Sequence, residues 1–374
     1  MSQDHCLQHK GRTESNTSAS TAAFTPVLHR GFRLFLTGMR VPASMSLIRP
    51  FRALGRLLGV FCLVFPVCAA ASGLPDVDPR IPRYNTVEGL SGTLNAAGSD
   101  TMLQLQTLMA EEFHRIYPQV TVQMEGKGSS TAPPALAEST VQIANMSRRI
   151  RGREAEAFED RFGYEPVRVE IALDTVGVFV HRDNPITALT IEELDAIFSK
   201  TRRCGRTSDA NVWGHLGLDG DWATAPISLY GRNAASGTYG FFKEHALCRG
   251  DYKDTVKEQP GSASVVQGVE NDRLGVGYSG IGYMTSGVRV VPIARSADEE
   301  PVAASWENAA NGLYPLTRFL DVYVNQEPGK ALDRLVFEYL RFILSAQGQQ
   351  VVVKAGFHPL DAEIVQLQLS KLQN

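Results

Sequence analysis

Gly231-Arg232-Asn233-Ala234-Ala235-Ser236-Gly237-Thr238-Tyr239-Gly240-Phe241-Phe242 decides how this chain is read. The apolar run before it, residues 227–230, reads as a buried strand, and residues 241–247 read as a helix. Ser236, Gly237 and Thr238 therefore stand where a strand turns into a helix. The first N–H groups of a helix have no carbonyl partner and carry the positive end of its dipole. Two hydroxyls add donors, and Gly237 lets an anion approach the backbone closely. Arg232 can set a planar, permanently charged fork beside the same point. Such a place suits a tetrahedral oxyanion. A capped helix with a surface arginine is the plainer alternative, because Ser-Gly-Thr alone is common.

Working outward, the same junction recurs. Residues 93–97 read as a strand that ends in Gly98-Ser99-Asp100-Thr101. Met102, Leu105, Met109, Phe113 and Ile116 then recur at helical spacing. Residues 120–124 alternate like a strand and end in Gly126-Lys127-Gly128-Ser129-Ser130-Thr131. Pro133 and Pro134 suit the first turn of the next helix, where a missing N–H costs nothing. A further strand, residues 141–144, runs into Asn145-Met146-Ser147-Arg148-Arg149. Glycine and serine are ordinary turn residues, so one junction weighs little. Three aimed alike weigh more, because in an open α/β sheet they share the carboxyl edge where ligands bind. Lys127 reads as facing solvent.

Residues 167–173 and 176–181 read as two strands. Thr190 and Glu193 form a capping box for a helix with Ile191, Leu194, Ile197 and Phe198 inside. Residues 200–226 are loop-rich, with Trp213 and Trp222 as packing residues. Residues 275–278 and 288–293 read as strands, 295–310 as an exposed loop, 319–324 as a strand and 332–344 as a helix.

Residues 1–71 read as a leader. From Met45 onward they have the build of an export signal: Arg49, Arg52 and Arg56, an apolar run over 57–67, then small residues for cleavage. Residues 1–44 read as a mis-called extension or a long natural leader. A lipid anchor at Cys68 is the weaker alternative to cleavage. The chain has 37 Lys and Arg against 40 Asp and Glu; residues 1–71 hold eight of the former and two of the latter, so the remainder carries −9. That balance argues against nucleic acid, and an anion site must rely on local, fixed donors. Of five cysteines, only Cys204 and Cys248 lie beyond the leader, and an even count in an exported chain points to one disulfide. Two free thiols are the alternative.

Gly98-Ser99-Asp100-Thr101-Met102, Gly126-Lys127-Gly128-Ser129-Ser130, Met146-Ser147-Arg148 and Arg232-x-x-x-Ser236-Gly237-Thr238 follow one another in an order that resembles the periplasmic phosphate-binding proteins of ABC transporters. Gly277-Tyr278 and Tyr314-Pro315-Leu316-x-Arg318 extend the likeness, which covers about residues 91–360. The resemblance implies an α/β, two-lobed, periplasmic-binding-protein-like type II fold that closes on dehydrated phosphate by hinge crossovers. It implies lobe I from residues 90–176 and 286–374, lobe II from 177–285, and hinges near 176 and 286. Arg232 would pair with the anion, Ser236 and Thr238 would donate hydroxyls, and Gly237 and Thr238 backbone N–H groups. Ser129 and the Thr101 N–H would complete the set. The implied partners are inorganic phosphate and the permease subunits, for a monomer in the periplasm that needs no cofactor.

Two positions depart from the family pattern. Many members carry aspartate where this chain has Arg148, and that carboxylate can accept the proton of monohydrogen phosphate. The expectation here is that Asp100 takes the acceptor role and Arg148 adds a second clamp; the alternative is that Asp100 caps a helix and Arg148 pairs with it. Arg148 also leaves sulfate, molybdate or tungstate open as the cargo, and a phosphate sensor without a transporter is a further reading. Catalysis is disfavoured. Ser236 lacks a Gly-x-Ser-x-Gly elbow, and no His, Asp or Glu grouping has convincing metal spacing.

Overall fold

The computed structural model describes residues 76–373; the leader, its start at Met45 and Cys68 lie outside the described residues. The described chain is α/β, and among its residues no helix is long and apolar enough to cross a membrane.

Its first half is a βαβ succession. β1 (Gly92–Gly98) leads to α1 (Leu103–Ile116), β2 (Val120–Glu125), α2 (Ala132–Ala137) and β3 (Ile143–Met146). β1 pairs in parallel with both β2 and β3, so all three strands end at the same edge. α1 forms as its spacing predicts, burying Leu105, Met109 and Phe113, and α2 carries prolines in its first turn, at its second and third positions. α3 (Gly152–Phe162) follows and closes on Gly163 in the left-handed region. It buries only Phe158, which is why no apolar stripe announces it.

β4 (Val167–His181) joins the halves. The two strands expected there are one, because β4 changes partners along its length. Residues 167–175 pair antiparallel with β11 (Thr317–Val324), and 176–180 with β8 (Gly275–Gly280). β5 (Leu189–Thr190) leads to α4 (Ile191–Phe198), which has the expected Thr190/Glu193 capping box. β6 (Ser228–Arg232) leads to α5 (Gly237–His245), β7 (Lys257–Gln259) and α6 (Ser262–Glu270). β6 lies parallel to β7 and β8. The apolar run 288–293 splits at Pro292 into β9 (Val288–Val290) on β4 and β10 (Ile293–Ala294) on β5. The stretch expected as loop contains α7 (Trp306–Ala310), capped by Ser305. α8 (Arg334–Ile343), α9 (Ala346–Lys354) and α10 (Ala362–Lys371) complete the chain.

Two large hydrophobic cores result. One gathers Leu94, Leu105, Phe113, Val169, Leu320 and Tyr339. The other gathers Val178, Ile197, Trp213, Phe242 and Tyr278, with Trp222 edge-on to Trp213 at 6.0 Å between ring centres. Each such aromatic or aliphatic side chain stabilises the fold by about 1.5–3 kcal/mol when fully buried. The second core also takes in Val291, Ile293, Tyr314 and Leu316. The expected Cys204–Cys248 disulfide is present, with Cα atoms 5.4 Å apart, and ties the loop after α4 to the end of α5.

Candidate functional site

The strand-to-helix junctions of the two halves meet. After β1, Gly98 has φ 132°, and a Cβ there would collide with the carbonyl oxygen of Asn145. After β2, Gly128 has φ 110°, and a Cβ there would stand 2.6 Å from the Ala235 carbonyl oxygen. The Ser130 N–H donates to that same carbonyl at 3.0 Å. A Cβ on Gly237 would overlap the hydroxyls of Ser129 and Ser147. Only glycines let these three turns come so close.

α5 starts at Gly237, four residues before the helix expected from sequence, so Ser236 is its N-cap. Its hydroxyl oxygen accepts the N–H of Thr238 at 3.1 Å and of Tyr239 at 3.4 Å. The Thr238 N–H is therefore used within the helix start. The N–H groups of Thr101, Ser129 and Gly237 donate to no protein acceptor among the described residues. These are the open donors, and Ser129, Thr101, Ser236 and Thr238 are all fully buried.

Arg232 closes β6 with only 1% of its surface exposed. Its Nη2 donates to Asp100 Oδ1 and, at 3.1 Å, to the Pro260 carbonyl; Nη1 donates to Ser262 Oγ at 3.0 Å. Asp100 Oδ2 accepts the Ser262 N–H at 3.0 Å and its hydroxyl at 3.2 Å. Behind Arg232, the Tyr278 oxygen accepts its backbone N–H at 3.2 Å, and burial pushes that phenol above its ordinary pKa. Arg318, from β11, donates to Thr238 Oγ1 at 2.9 Å and grips Asp174 Oδ2 through Nε at 3.0 Å and Nη2 at 2.8 Å. Burial lowers the Arg318 pKa, opposed by Asp174.

These contacts orient the hydroxyls. Arginine has no acceptor, so Arg318 donates to Thr238. Asp100 is an acceptor, so Ser262 spends its proton there. Thr101 Oγ1, 3.3 Å from Ser262 Oγ and 2.9 Å from Thr238 Oγ1, can donate to either of them. Arg318, Thr238, Thr101, Ser262 and Asp100 thus lie in one continuous hydrogen-bonded row.

The structure thus brings together Asp100, Thr101, Ser129, Arg232, Ser236, Gly237 and Thr238. It does not bring Arg148 with them as a second clamp. Arg148 donates to Glu154 through Nη1 at 2.8 Å and Nη2 at 2.7 Å, and to Ser130 Oγ at 3.1 Å. Glu154 is the third residue of α3, a helix that the sequence reading did not contain, so this partner was invisible there. Arg148 does not pair with Asp100 either. Asp100, for its part, has both oxygens engaged by Arg232 and Ser262. Lys127 is 69% exposed at its side chain and pairs with Glu125.

Three residues of the group went unnoticed in sequence. Ser262 opens α6, whose signal was legible: Pro260 and Gly261 followed by Val265, Val266 and Val269 at helical spacing. Asp174 interrupts the apolar run of β4, and Arg318 sits in a quoted motif without a role. Among the described hydrogen bonds none joins Ser236 to a histidine; His358 bonds Thr175 and His245 packs on the Phe241 ring at 4.4 Å. No group of three or more His, Cys, Asp or Glu side chains among the described residues is placed to hold a metal ion.

The chain is similar to known proteins over most of this framework. A PBP superfamily domain matches residues 85–347. The phosphate-binding protein PstS of Pseudomonas aeruginosa is 50% identical over 319 residues, 85% of this chain and 99% of that protein. PstS of Bacillus subtilis is 26% identical over 278 residues, 73% of this chain and 82% of that one. A crystal structure of a phosphate ABC transporter substrate-binding protein from Clostridium perfringens, with bound phosphate, aligns at TM-score 0.61 and 24% identity, over 72% of this chain and all of that one. A phosphate transport receptor from Vibrio cholerae aligns at TM-score 0.56 and 20% identity, over 71% of this chain. At those identities the structural likeness speaks for the fold. Taken with the 50% identity to the Pseudomonas protein, it places the chain: it belongs to the PBP superfamily and, within it, to the family of the phosphate-binding proteins PstS.

Proposed function

We propose that this protein captures inorganic phosphate between its two halves and delivers it to the permease of an ABC transporter. It is a binding protein and not an enzyme. The observation that carries the reading is the meeting of three helix starts and one buried arginine fork at a single dry point. Open N–H groups from Thr101, Ser129 and Gly237, the hydroxyls of Ser129, Ser236 and Thr238, and Arg232 replace the hydration shell of the ion. Low local dielectric strengthens each of those bonds. The names of the relatives agree with this cargo. Arg148, the residue that left other oxyanions open, is occupied by Glu154 and lends them no support.

The two halves act as lobes. Lobe I holds the first core and lobe II the second, with β4 and β11 as the hinge crossings between them. The separate cores and the change of partners along β4 support this division. The protein works outside the cytoplasmic membrane, as a periplasmic monomer released by the export signal in residues 45–71.

Titration calorimetry with phosphate, arsenate, sulfate and molybdate tests the reading. Phosphate and arsenate are expected to bind at least about 100-fold more tightly than sulfate or molybdate, a difference of about 2.7 kcal/mol. Absence of heat with phosphate, or tighter binding of molybdate, would end it.

A further inference from the structure

A second cavity, of about 690 Å³, lies beside the anion turn. Its wall comes from both halves: residues 148–152 ahead of α3, Gly240, Phe241 and Glu244 of α5, and the first turns of β11 in the sheet. None of Thr101, Ser129, Ser236, Gly237 or Thr238 lines it. Arg318 connects the two places, since it lines the cavity and donates to Thr238. Pockets of about 300–1,000 Å³ hold whole small-molecule ligands, so a single inorganic phosphate would leave this one mostly empty.

The wall is basic. Arg148, Arg149, Arg151, Arg168 and Arg318 line it, against Glu244 and Asp321. Carboxylates match three of the five: Glu154 pairs with Arg148, Asp321 and Glu170 with Arg168, and Asp174 with Arg318. Glu244 is held by Arg249 at 2.7 Å. Arg149 and Arg151 are left over. Both are exposed, and neither has an ion-pair partner among the described residues. Three of the four unpaired buried side-chain nitrogens among the described residues belong to the same wall: Nε of Arg148, Nε of Arg168 and Nη1 of Arg318. They are sealed from water and act on the cavity through their field, which low dielectric lets reach further. The start of α3 adds the N–H groups of Gly152 and Arg153, which donate to no protein acceptor among the described residues.

Guanidinium groups beside a helix N-terminus suit phosphoryl oxygens. A nucleobase is less well served, because the Phe241 ring already packs against Arg318 at 5.1 Å and His245 at 4.4 Å. We propose that this cavity is a second anion site, which takes an inorganic oligophosphate, a chain of two or more phosphate groups, with Arg149 and Arg151 as its free cations. The site goes beyond the orthophosphate reading and does not rest on it. A Cβ on Gly240 would stand 3.2 Å from both Arg148 Cδ and Arg151 Nη2, so the arginine segment of one half reaches α5 of the other, and the occupant touches both.

Calorimetry with inorganic triphosphate in magnesium-free buffer tests this, with and without excess phosphate. One triphosphate per chain is expected to bind in both conditions, no more weakly when phosphate is present. If the protein binds no phosphate at all, the titration without it still decides the matter. The double variant Arg149→Gln with Arg151→Gln is expected to lose at least about tenfold in triphosphate affinity. A control, Arg115→Gln with Arg182→Gln, removes two charges that are 66% and 65% exposed elsewhere on the surface. Screening at physiological salt should hold its loss below about threefold. Diphosphate is expected to bind at least as tightly as ADP. Failure of triphosphate to bind, its displacement by phosphate, a loss in the Arg149 and Arg151 variant no larger than in the control, or tighter binding of ADP than of diphosphate would overturn the proposal.

Discussion

Arg232 and Asp100, 132 residues apart in sequence, form a buried ion pair that joins the strand-to-helix turn after β1 to the one after β6. The pair is neutral as a unit, so the positive fork is held in place without exposing it to water. Breaking one side of such a pair costs more than the pair contributes, because the partner stays buried and unmatched.

Arg232→Lys tests the fork and not the charge. One ammonium cannot reach Asp100, Ser262 Oγ and the carbonyls of Gln259 and Pro260 together. Phosphate affinity is expected to drop about 10–100-fold, as for loss of one charge-assisted hydrogen bond. Calorimetry on the folded variant gives the answer, and unchanged affinity would mean that the fork does not hold the anion.

Gly237→Ala tests the close approach of the halves. The added methyl overlaps the hydroxyls of Ser129, which opens the short helical turn after β2, and of Ser147, which directly follows β3. Overpacking of this kind costs about 1–3 kcal/mol, on the order of 5–150-fold in phosphate affinity. X-ray scattering should show that phosphate no longer contracts the variant as it contracts the wild type.

Arg148→Met separates a structural arginine from a binding one. It leaves Glu154 without its bidentate partner at the start of α3, a loss of about 1–3 kcal/mol in stability. Phosphate affinity should change by no more than about threefold. A larger loss of affinity with normal urea stability would reinstate Arg148 as a ligand.

The Cys204–Cys248 bridge spans 44 residues and anchors the helix whose first turn carries Gly237. Replacing both cysteines by serine is expected to lower stability by about 2–4 kcal/mol in urea unfolding. The folded variant should bind phosphate normally, since neither sulfur touches the anion turn.

Acid should weaken the fold through His358. Its ring is buried against Thr175, with Asp174 and Glu307 as the nearby charges, and burial lowers its pKa below the ordinary value. The unfolded chain therefore takes up that proton first. Its contribution to stability is complete above the ordinary histidine pKa and is lost as pH falls below it. Melting temperatures across that range should fall less steeply in His358→Gln than in the wild type, and parallel profiles would exclude the ring as a cause.

Much of the fold was legible because it is written in local patterns. The stripe of α1, the prolines of α2, the capping box of α4 and the glycine-hydroxyl turns each state their own structure, and the even cysteine pair proved to be bonded. Helices without a stripe, such as α3, were not legible, and Glu154 went with it. The break at Pro292 hid two short strands on different sheets.

By itself the sequence determined which turns carry donors, because backbone geometry and side-chain chemistry at a turn are local properties. The tertiary structure alone decided how those donors are spent. Whether an oxygen of Asp100 is free, and whether Arg148 faces an anion or Glu154, depends on which distant side chain arrives first at hydrogen-bond distance. That is a matter of packing between elements far apart in the chain, and no stretch of sequence contains it.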